Sequence, residues 1–549
     1  MNYSRHVSTK KTAGTSQTVK SRADQVRNNA GGFGFKVTKW EQLERFLILG
    51  SEGGTFYVGE QKLTRDNAKN VISCIEEDGV AVVNKIVEVS DTGRAPKNDP
   101  AIFALALAAT HGNQDTKDAA YGAITKVCRI GTHLFHFAQA VQDLRGWSRG
   151  LRRGVAAFYT DRRSDDDLAM QIVKYRQRDG WSHRDVIRLA HPKAKSDVQS
   201  GIFAYAVGKT KDGIPLPPTI LAFEEAQKLS VNSKVDVRRA IALINSFDLP
   251  REALPTEMLN SPEIWEALLQ KMPLNAMVRN LGKMTSLGLF GEKTNSNTKI
   301  VLDALGDPET IHKARLHPMA ILQAFKVYDQ GHGDKGSLSW VKNQHILSAL
   351  DDGFYTAFKA VEPTGKSIML AVDCSGSMFG ASIAGMSIDA ATATAAMSLV
   401  TEAVEKESIV TFFSNGTANS RWSGSHRMNS GIQDLPINSK MRLDKVLETM
   451  RRQPWGGTDC ALPMVHATKN NLPVDQFVIY TDNETWAGTV KPHEALEEYR
   501  QKSGRPAKLV VVGTSASPFT IADPLDSGML DVVGFDTGVP AVISNFARD

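Results

Sequence analysis

The chain has 549 residues, room for roughly two to four domains, since single hydrophobic cores stop growing near 250–300 residues. A content of 42% hydrophobic and 23% charged residues is that of a globular protein and excludes the disordered and fibrous classes. The longest apolar stretch, Ala101–Ala109, is far short of the ~20 residues of a membrane span, and the basic, polar first residues carry no apolar signal core. A cytoplasmic protein without a membrane partner is therefore expected. The four cysteines, Cys74, Cys128, Cys374 and Cys460, lie far apart, which predicts reduced, buried thiols and neither a zinc ribbon nor a disulfide framework. The net charge of +5 hides an asymmetry. Residues 1–360 carry 49 basic and 39 acidic side chains, net +10, whereas residues 361–549 carry 16 and 21, net −5. A polyanion prefers the first part.

In chain order, residues 1–30 hold six Lys/Arg and one acid among polar residues and predict a flexible basic arm. From residue 31 to about residue 360, apolar residues at three and four spacing, as in "WEQLERFLILG" and "SPEIWEALLQKM", predict helices in series with few strands, and hence stacked helix pairs of an α-solenoid. Within it, Arg145–Lys195 carries 13 Lys/Arg against 6 Asp, with Trp147, Phe158, Tyr159, Tyr175 and Trp181 interleaved. Cations neutralise phosphates and flat rings stack on unpaired bases, so this composition suits single-stranded nucleic acid; a solvated helical face with its aromatics in the core fits equally. A helix continuing through "IVKYRQRDG" would place Lys174 and Arg178 on one face. His191, before Pro192, fits a phosphate contact or, more simply, a helix C-terminal cap. In "KVCRIGTHLFHF", Arg129 and His133 stand on adjacent turns and read first as a helix end.

After "VEPTG" at residues 361–365 the texture changes. Apolar runs at Ser367–Asp373, Ser408–Ser414, Gln476–Asp482 and Ala507–Thr514 alternate with helix patterns, which predicts a doubly wound parallel sheet. Ligands of such sheets bind beyond the carboxyl ends of the strands. There "LAVDCSGSM" supplies Asp373, Ser375 and Ser377, "GGTDC" supplies Thr458, and "YTDNE" supplies Asp482. Alone, D-x-S-x-S reads first as a turn or cap. Taken together, two carboxylates and three hydroxyls without imidazole or thiolate suit a hard divalent cation, Mg²⁺ before Mn²⁺. In order and context they resemble the metal-ion-dependent adhesion site of von Willebrand factor A (vWA) domains. A serine-hydrolase elbow requires G-x-S-x-G, whereas Ser375 lies in "DCSGS", and a phosphate loop requires G-x-x-x-x-G-K-[ST], which is not present; no enzyme is expected.

The blocks "RFLILGSEGGTFY", "RDGWSHRDVIRLAHPK", "MPLNAMVRNLGKM", "VEPTGKSIMLAVDCSGSM", "GGTDCALPM", "YTDNETWAG" and "FTIADPLDSGMLDVVGFDTG" resemble, from about Trp40 to the end, the Ro 60-kDa autoantigen family, in the manner of a bacterial or phage member. The resemblance implies a ring of HEAT-like helical repeats, the TROVE module, over residues 31–360, followed by a vWA-like domain over 361–549. It implies Y-like small RNA on a basic outer surface and single-stranded 3′ ends of misfolded non-coding RNA in the ring, for RNA quality control. An exoribonuclease, polynucleotide phosphorylase, would join through the Y RNA. The family's outer RNA residues match Lys174, Arg178 and His191; Arg176, Arg188, Arg129 and His133 complete the candidate set. The metal ligands match Asp373, Ser375, Ser377, Thr458 and Asp482. The alternative is that the vWA domain acts as a metal-dependent protein-interaction adaptor. Gly131 stands where relatives commonly have proline, and the region Asp197–Leu254 departs from the animal proteins.

Overall fold

The computed structural model describes residues 14–50, 68–357, 363–379, 388–414, 431–434, 441–452 and 457–548, apart from positions 96, 145, 162–163, 211–212, 292, 334–336, 406, 516 and 535–537. Parts of the quoted motifs lie outside the described residues: the first 13 of the basic arm, "SEGGTFY", Val361 and Glu362, Gly380, and Trp455 with Gly456.

Helices fill the chain from Lys39–Leu49 to Gln344–Thr356, as their periodicity predicts. Their ends follow from local chemistry. Thr38 and Glu41 form a capping box on the first helix, which Gly50 ends in the left-handed conformation at φ 78°; Ser148, Ser164, Ser182 and Ser196 accept backbone N–H groups at later N-termini. Asp99–His111, which contains the most apolar stretch of the chain, is buried almost all round, as a helix without a polar face must be. The helical run returns to its start. Arg315 Nη2 meets Asp91 at 3.0 Å, and His317 Nε2 donates to the Arg94 carbonyl at 3.2 Å.

The C-terminal sheet is built from β5 (Ser367–Asp373), β6 (Glu407–Phe413), β7 (Ile432–Asp434), β8 (Gln476–Thr481), β9 (Lys508–Gly513) and β11 (Met529–Val533), in the order β11-β9-β8-β5-β6-β7. All neighbours run parallel except β7, which is antiparallel to β6. The four strands expected from the sequence are present within a residue of their predicted ends. Alternate residues of β5 serve two cores: Met369 and Ala371 pack with the helix Pro492–Ser503, while Ile368, Leu370 and Val372 belong to a core continuous with that of the helical module. The two parts are also joined by polar contacts. Arg45 of the first helix forms a buried ion pair with Asp531 of β11, Arg442 pairs with Asp351 at 3.3 Å, and Lys326 Nζ reaches Thr392 Oγ1 at 3.3 Å. No helix among the described residues is long and apolar enough to cross a membrane. All four cysteines are buried, and none forms a disulfide.

The flexible arm expected over residues 1–30 is corrected for residues 14–30, and with it the boundary at residue 31. β1 (Gln25–Arg27) and β2 (Phe33–Lys36) form a hairpin whose second strand pairs with β10 (Phe519–Thr520) of the C-terminal domain. Gln17 is 0% exposed and Gln25 1%. Close backbone approach explains the glycines of "GGFGF". A Cβ on Gly32 would collide with the Thr485 carbonyl oxygen and stand 2.9 Å from its carbon; one on Gly34 would lie 2.7 Å from the Thr520 oxygen.

Candidate functional site

The predicted oxygen ligands converge at the carboxyl edge of the sheet. Asp373 ends β5, Asp482 follows β8, and Ser375 leads into a short 3-10 turn, Gly376–Phe379, which carries Ser377. All five candidate ligands are buried, Asp373 to 0% exposure. The turn contact expected of D-x-S-x-S is present. Asp373 Oδ1 accepts the Ser375 N–H at 2.8 Å, a turn contact, and this same contact aims the serines inward, where the Ser375 and Ser377 hydroxyls lie 3.0 Å apart. Asp373 Oδ2 accepts the Thr481 hydroxyl at 2.8 Å. Asp482 Oδ1 accepts the Glu484 N–H at 3.0 Å, whereas its Oδ2 is buried without a hydrogen-bond partner. Burial raises the pKa of Asp373, with the charge of Asp482 adding to it, and burial likewise raises that of Asp482. The loop bearing Thr458 is locked to the Asp482 loop by the Trp486 and Ala487 N–H groups, both 3.0 Å from the Thr458 carbonyl.

Two buried carboxylates, an orphaned carboxylate oxygen and a pair of adjacent hydroxyls suit a hard cation that keeps part of its water shell. Among the described residues there is no cluster of three or more His, Cys, Asp or Glu, so a softer, zinc-type site has no donors.

Residues the sequence gave no reason to include surround these ligands. The Gln17 amide donates to Asp459 Oδ1 at 2.7 Å and to the Val490 carbonyl at 2.9 Å, and its oxygen accepts the Thr485 hydroxyl. Asn28 Nδ2 binds the Thr485 carbonyl at 2.7 Å, while Glu484 holds Asn29 Nδ2 at 2.8 Å and the Ala30 N–H at 2.9 Å. Lys491 is buried with its Nζ on the Gln17 carbonyl at 2.9 Å, and burial lowers its pKa to about 8. The N-terminal segment thus straps the loops that carry Thr458 and Asp482.

A second feature is the cationic surface of the helical module. The helix Asp165–Lys174 stops at Lys174, and the chain turns through a hairpin of β3 (Gln177–Arg178) and β4 (Trp181–Ser182). Lys174 and Arg178 therefore do not share a helix face, contrary to expectation. Asp179 and Gly180, at φ 52° and 78°, form the turn, and this Asp-Gly pair was the available signal. The Trp181 indole donates to Gln139 at 2.9 Å, and Asp179 meets His136, fixing the hairpin to the helix Gly131–Leu144. Arg176 and Arg178 are exposed; Arg176 lies over the Phe223 ring at 5.5 Å, and Lys174 over Tyr175 at 5.3 Å. On the following helix, His183–Ala190, Arg188 is exposed, as is Arg184 one turn before it, a residue not picked out from the sequence. His191 caps that helix in the left-handed conformation, its N–H on the Ile187 carbonyl at 2.9 Å, and its ring is exposed.

The remaining candidates sit differently. Arg129 Nη1 binds Ser90 Oγ at 2.9 Å and the Lys126 carbonyl at 3.2 Å, and burial beside Arg129 lowers the His133 pKa to about 4. Both brace helix ends. Phe158 and Tyr159 are fully buried, so of the interleaved aromatics these two belong to the core. Gly131 opens its helix with an N–H on Gln171 Oε1 at 3.0 Å, and a Cβ there would lie 2.7 Å from that of Tyr175.

Two family models cover most of the chain: the TROVE domain over residues 26–213 and 248–326, and the Ro60 vWA domain over residues 367–547. The chain belongs to the Ro60 family. It is 38% identical to the RNA-binding protein RO60 of Deinococcus radiodurans, with 97% of each chain covered, and 35% identical to the RNA-binding protein RO60 of Caenorhabditis elegans, with 96% of this chain and 91% of that one covered. The crystal structure of the Deinococcus radiodurans RO (RSR) protein matches with a TM-score of 0.70 at 36% identity, over 93% of this chain and 99% of that one. The interval absent from the TROVE match, residues 214–247, contains the helices Pro218–Ala226 and Lys234–Phe247 and falls inside the region Asp197–Leu254 that departs from the animal Ro proteins. The TROVE match opens at Val26, so this Ro60 chain starts its TROVE domain on a strand that pairs, through β2, with the vWA domain.

Proposed function

We propose that this protein binds RNA, taking a Y-like small RNA on the surface formed by the β3–β4 hairpin and the helix His183–Ala190. The observation that carries the reading is the grouping of exposed Arg176, Arg178, Arg184, Arg188 and His191 with half-buried Lys174, against which the hairpin sets only Asp179, 3.7 Å from Arg178 Nε. Such a surface contacts phosphates, and its affinity falls steeply with salt as counterions are released. The names of both curated relatives support RNA as the ligand. On this reading the helical ring admits single-stranded 3′ ends of misfolded non-coding RNA, and the Y RNA tethers an exoribonuclease of the polynucleotide phosphorylase type. Replacing both Lys174 and Arg178 with alanine should weaken Y-RNA binding at moderate salt and flatten its salt dependence by about two phosphate contacts; full retention in a gel-shift titration would remove the assignment.

A second reading concerns the vWA domain, and the unpartnered Asp482 Oδ2 favours it. Asp373, Ser375, Ser377, Thr458 and Asp482 would hold Mg²⁺ or Mn²⁺, which when bound supplies a coordination position for an acidic side chain of a protein partner. Both carboxylate oxygens of Asp373 already accept hydrogen bonds, so Asp482 offers the freer ligand atom. Asp482→Asn should abolish Mn²⁺ binding measured by calorimetry and leave Y-RNA binding intact; equal Mn²⁺ affinity in the variant would exclude this site.

A further inference from the structure

A cavity of about 660 Å³ lies in the helical module between the helices Pro262–Leu269, Leu274–Ser286 and Pro318–Gln330, closed by Gly333, Leu338 and Trp340. Neither the cation site nor the hairpin surface uses it. Its volume is within the roughly 300–1,000 Å³ typical of small-ligand sites, too small for a nucleic-acid duplex.

The walls are flat and fixed. Trp340 stacks on Tyr328 with ring centres 5.9 Å apart and planes at 28°, and its indole donates to the Tyr328 carbonyl at 3.1 Å. The Tyr328 hydroxyl is held by Thr285 at 2.9 Å and by the Asn343 N–H at 3.2 Å. A Cβ at Gly282 would lie 2.6 Å from a Trp340 ring carbon, so the indole rests directly on the helix backbone because that residue is glycine.

The lining is also one-signed. Arg251, Arg279, Lys283 and Lys97 face the cavity, and no carboxylate does among the described lining residues. Arg251 Nη1 is aimed by the buried Asn280 Oδ1 at 2.7 Å, while its Nε pairs with exposed Glu252 at 2.9 Å. Lys283 Nζ meets a neutral partner, Asn260 Oδ1 at 3.2 Å, and Arg279, one turn earlier, is exposed. A ligand that complements this site is flat on one part and anionic on another.

We propose that this cavity binds a single nucleotide, base and phosphate together, presented either as one unit of an unpaired RNA strand or as a free nucleotide. The Tyr328–Trp340 wall takes the base, and the Arg279–Lys283 row takes the phosphate. For the strand case the inference rests on the RNA reading above and assigns residues to it.

The test uses two variants of the full chain. Ala324→Phe fills the cavity without altering charge, and Arg279→Glu with Lys283→Glu reverses the charge of the rim. A fluorescent single-stranded oligoadenylate is followed by anisotropy, and AMP by calorimetry at the same salt. Each variant should weaken binding roughly tenfold, the weight of one stacked base. Loss of oligoadenylate binding alone identifies a strand unit, loss of AMP binding alone a free nucleotide, and loss of both shows that either is accepted. Unchanged affinity for both probes overturns the proposal; should Ala324→Phe fail to fold, the exposed charge reversal decides alone. Lys174→Ala with Arg178→Ala, which touches no cavity residue, should leave AMP binding unchanged, so failure of the hairpin surface and failure of the cavity are read separately.

Discussion

Gln17 is one of the residues through which the N-terminal segment holds the loops of the proposed cation site, and its replacement tests that arrangement directly. The side chain is 0% exposed and makes three hydrogen bonds, to Asp459, to the Val490 carbonyl and from Thr485. Gln17→Met keeps the shape and removes all three. At about 1 kcal/mol net for each, and somewhat more for the one to a carboxylate, the loss should be about 3–4 kcal/mol. Gln17→Ala also removes the buried Cγ methylene and should add about 1 kcal/mol. Burial has already raised the Asp459 pKa to about 6, and the Gln17 amide is one of the groups holding it down, so the variants should raise it further. Hydrogen exchange followed by mass spectrometry measures the outcome by region. Amides of residues 457–461 and 482–491 should lose protection while the helix Asp165–Lys174 keeps it. Protection unchanged at residues 482–491 in Gln17→Met, with stability within about 0.5 kcal/mol of the parent chain, would mean that the strap contributes nothing to the rim.

Further outcomes follow from the same kind of accounting. Arg45→Met leaves Asp531 buried with the neutral Thr520 hydroxyl at 2.6 Å, and should cost about 3–5 kcal/mol in urea unfolding; a loss below about 1 kcal/mol would show the pair to be dispensable. Gly131→Ala forces a Cβ to 2.7 Å from that of Tyr175 and 3.0 Å from His183 Nε2, and should cost about 1–3 kcal/mol, visible as a lowered Tm. His183 and His317 are kept neutral by burial, with pKa values lowered from 6.5 to about 4. The unfolded chain therefore takes up protons first as pH falls, so stability is complete above about pH 6.5 and declines towards pH 4 by about 1.4 kcal/mol per pH unit for each histidine. His183→Gln should flatten that decline between pH 6.5 and 4.5, and an identical pH dependence in the variant would assign it to other groups.

The parts of the fold legible in the sequence are those whose reasons are local. β5, β6, β8 and β9 are buried on both faces and appear as unbroken apolar runs, and the site residues at their ends carry a motif with fixed spacing. The strap carries no such mark. Gln17 and Asp459 meet across 442 residues of chain, and a polar N-terminal segment with few apolar residues has the composition of a tail until its partners are known. The strap's glycines were the nearest to a signal, because close backbone approach at Gly32 and Gly34 demands the absence of a Cβ. β11 was missed for a different reason: "MLDVV" places Asp531 in the middle of a strand, where the buried Arg45 of a distant helix and the Thr520 hydroxyl make a carboxylate tolerable.

The error over Lys174 and Arg178 lies in the local structure that carries them. Helical spacing would have stacked the two cations along one face about one turn apart. The Asp179–Gly180 turn instead ends the helix and projects Arg178 on a two-residue strand, paired with Trp181. That strand is not free to move, since Trp181 is bonded to Gln139 and packs on Trp147 with ring centres 5.8 Å apart. A cation on a pinned hairpin loses less side-chain and backbone freedom on meeting a phosphate than one on a mobile loop, so more of each contact appears as affinity. On the proposed reading, an RNA strand would meet a fixed arrangement of cations drawn from three elements, the end of one helix, the hairpin and the start of the next. Shortening the turn would disturb all three at once, whereas removing any single cation would cost one contact.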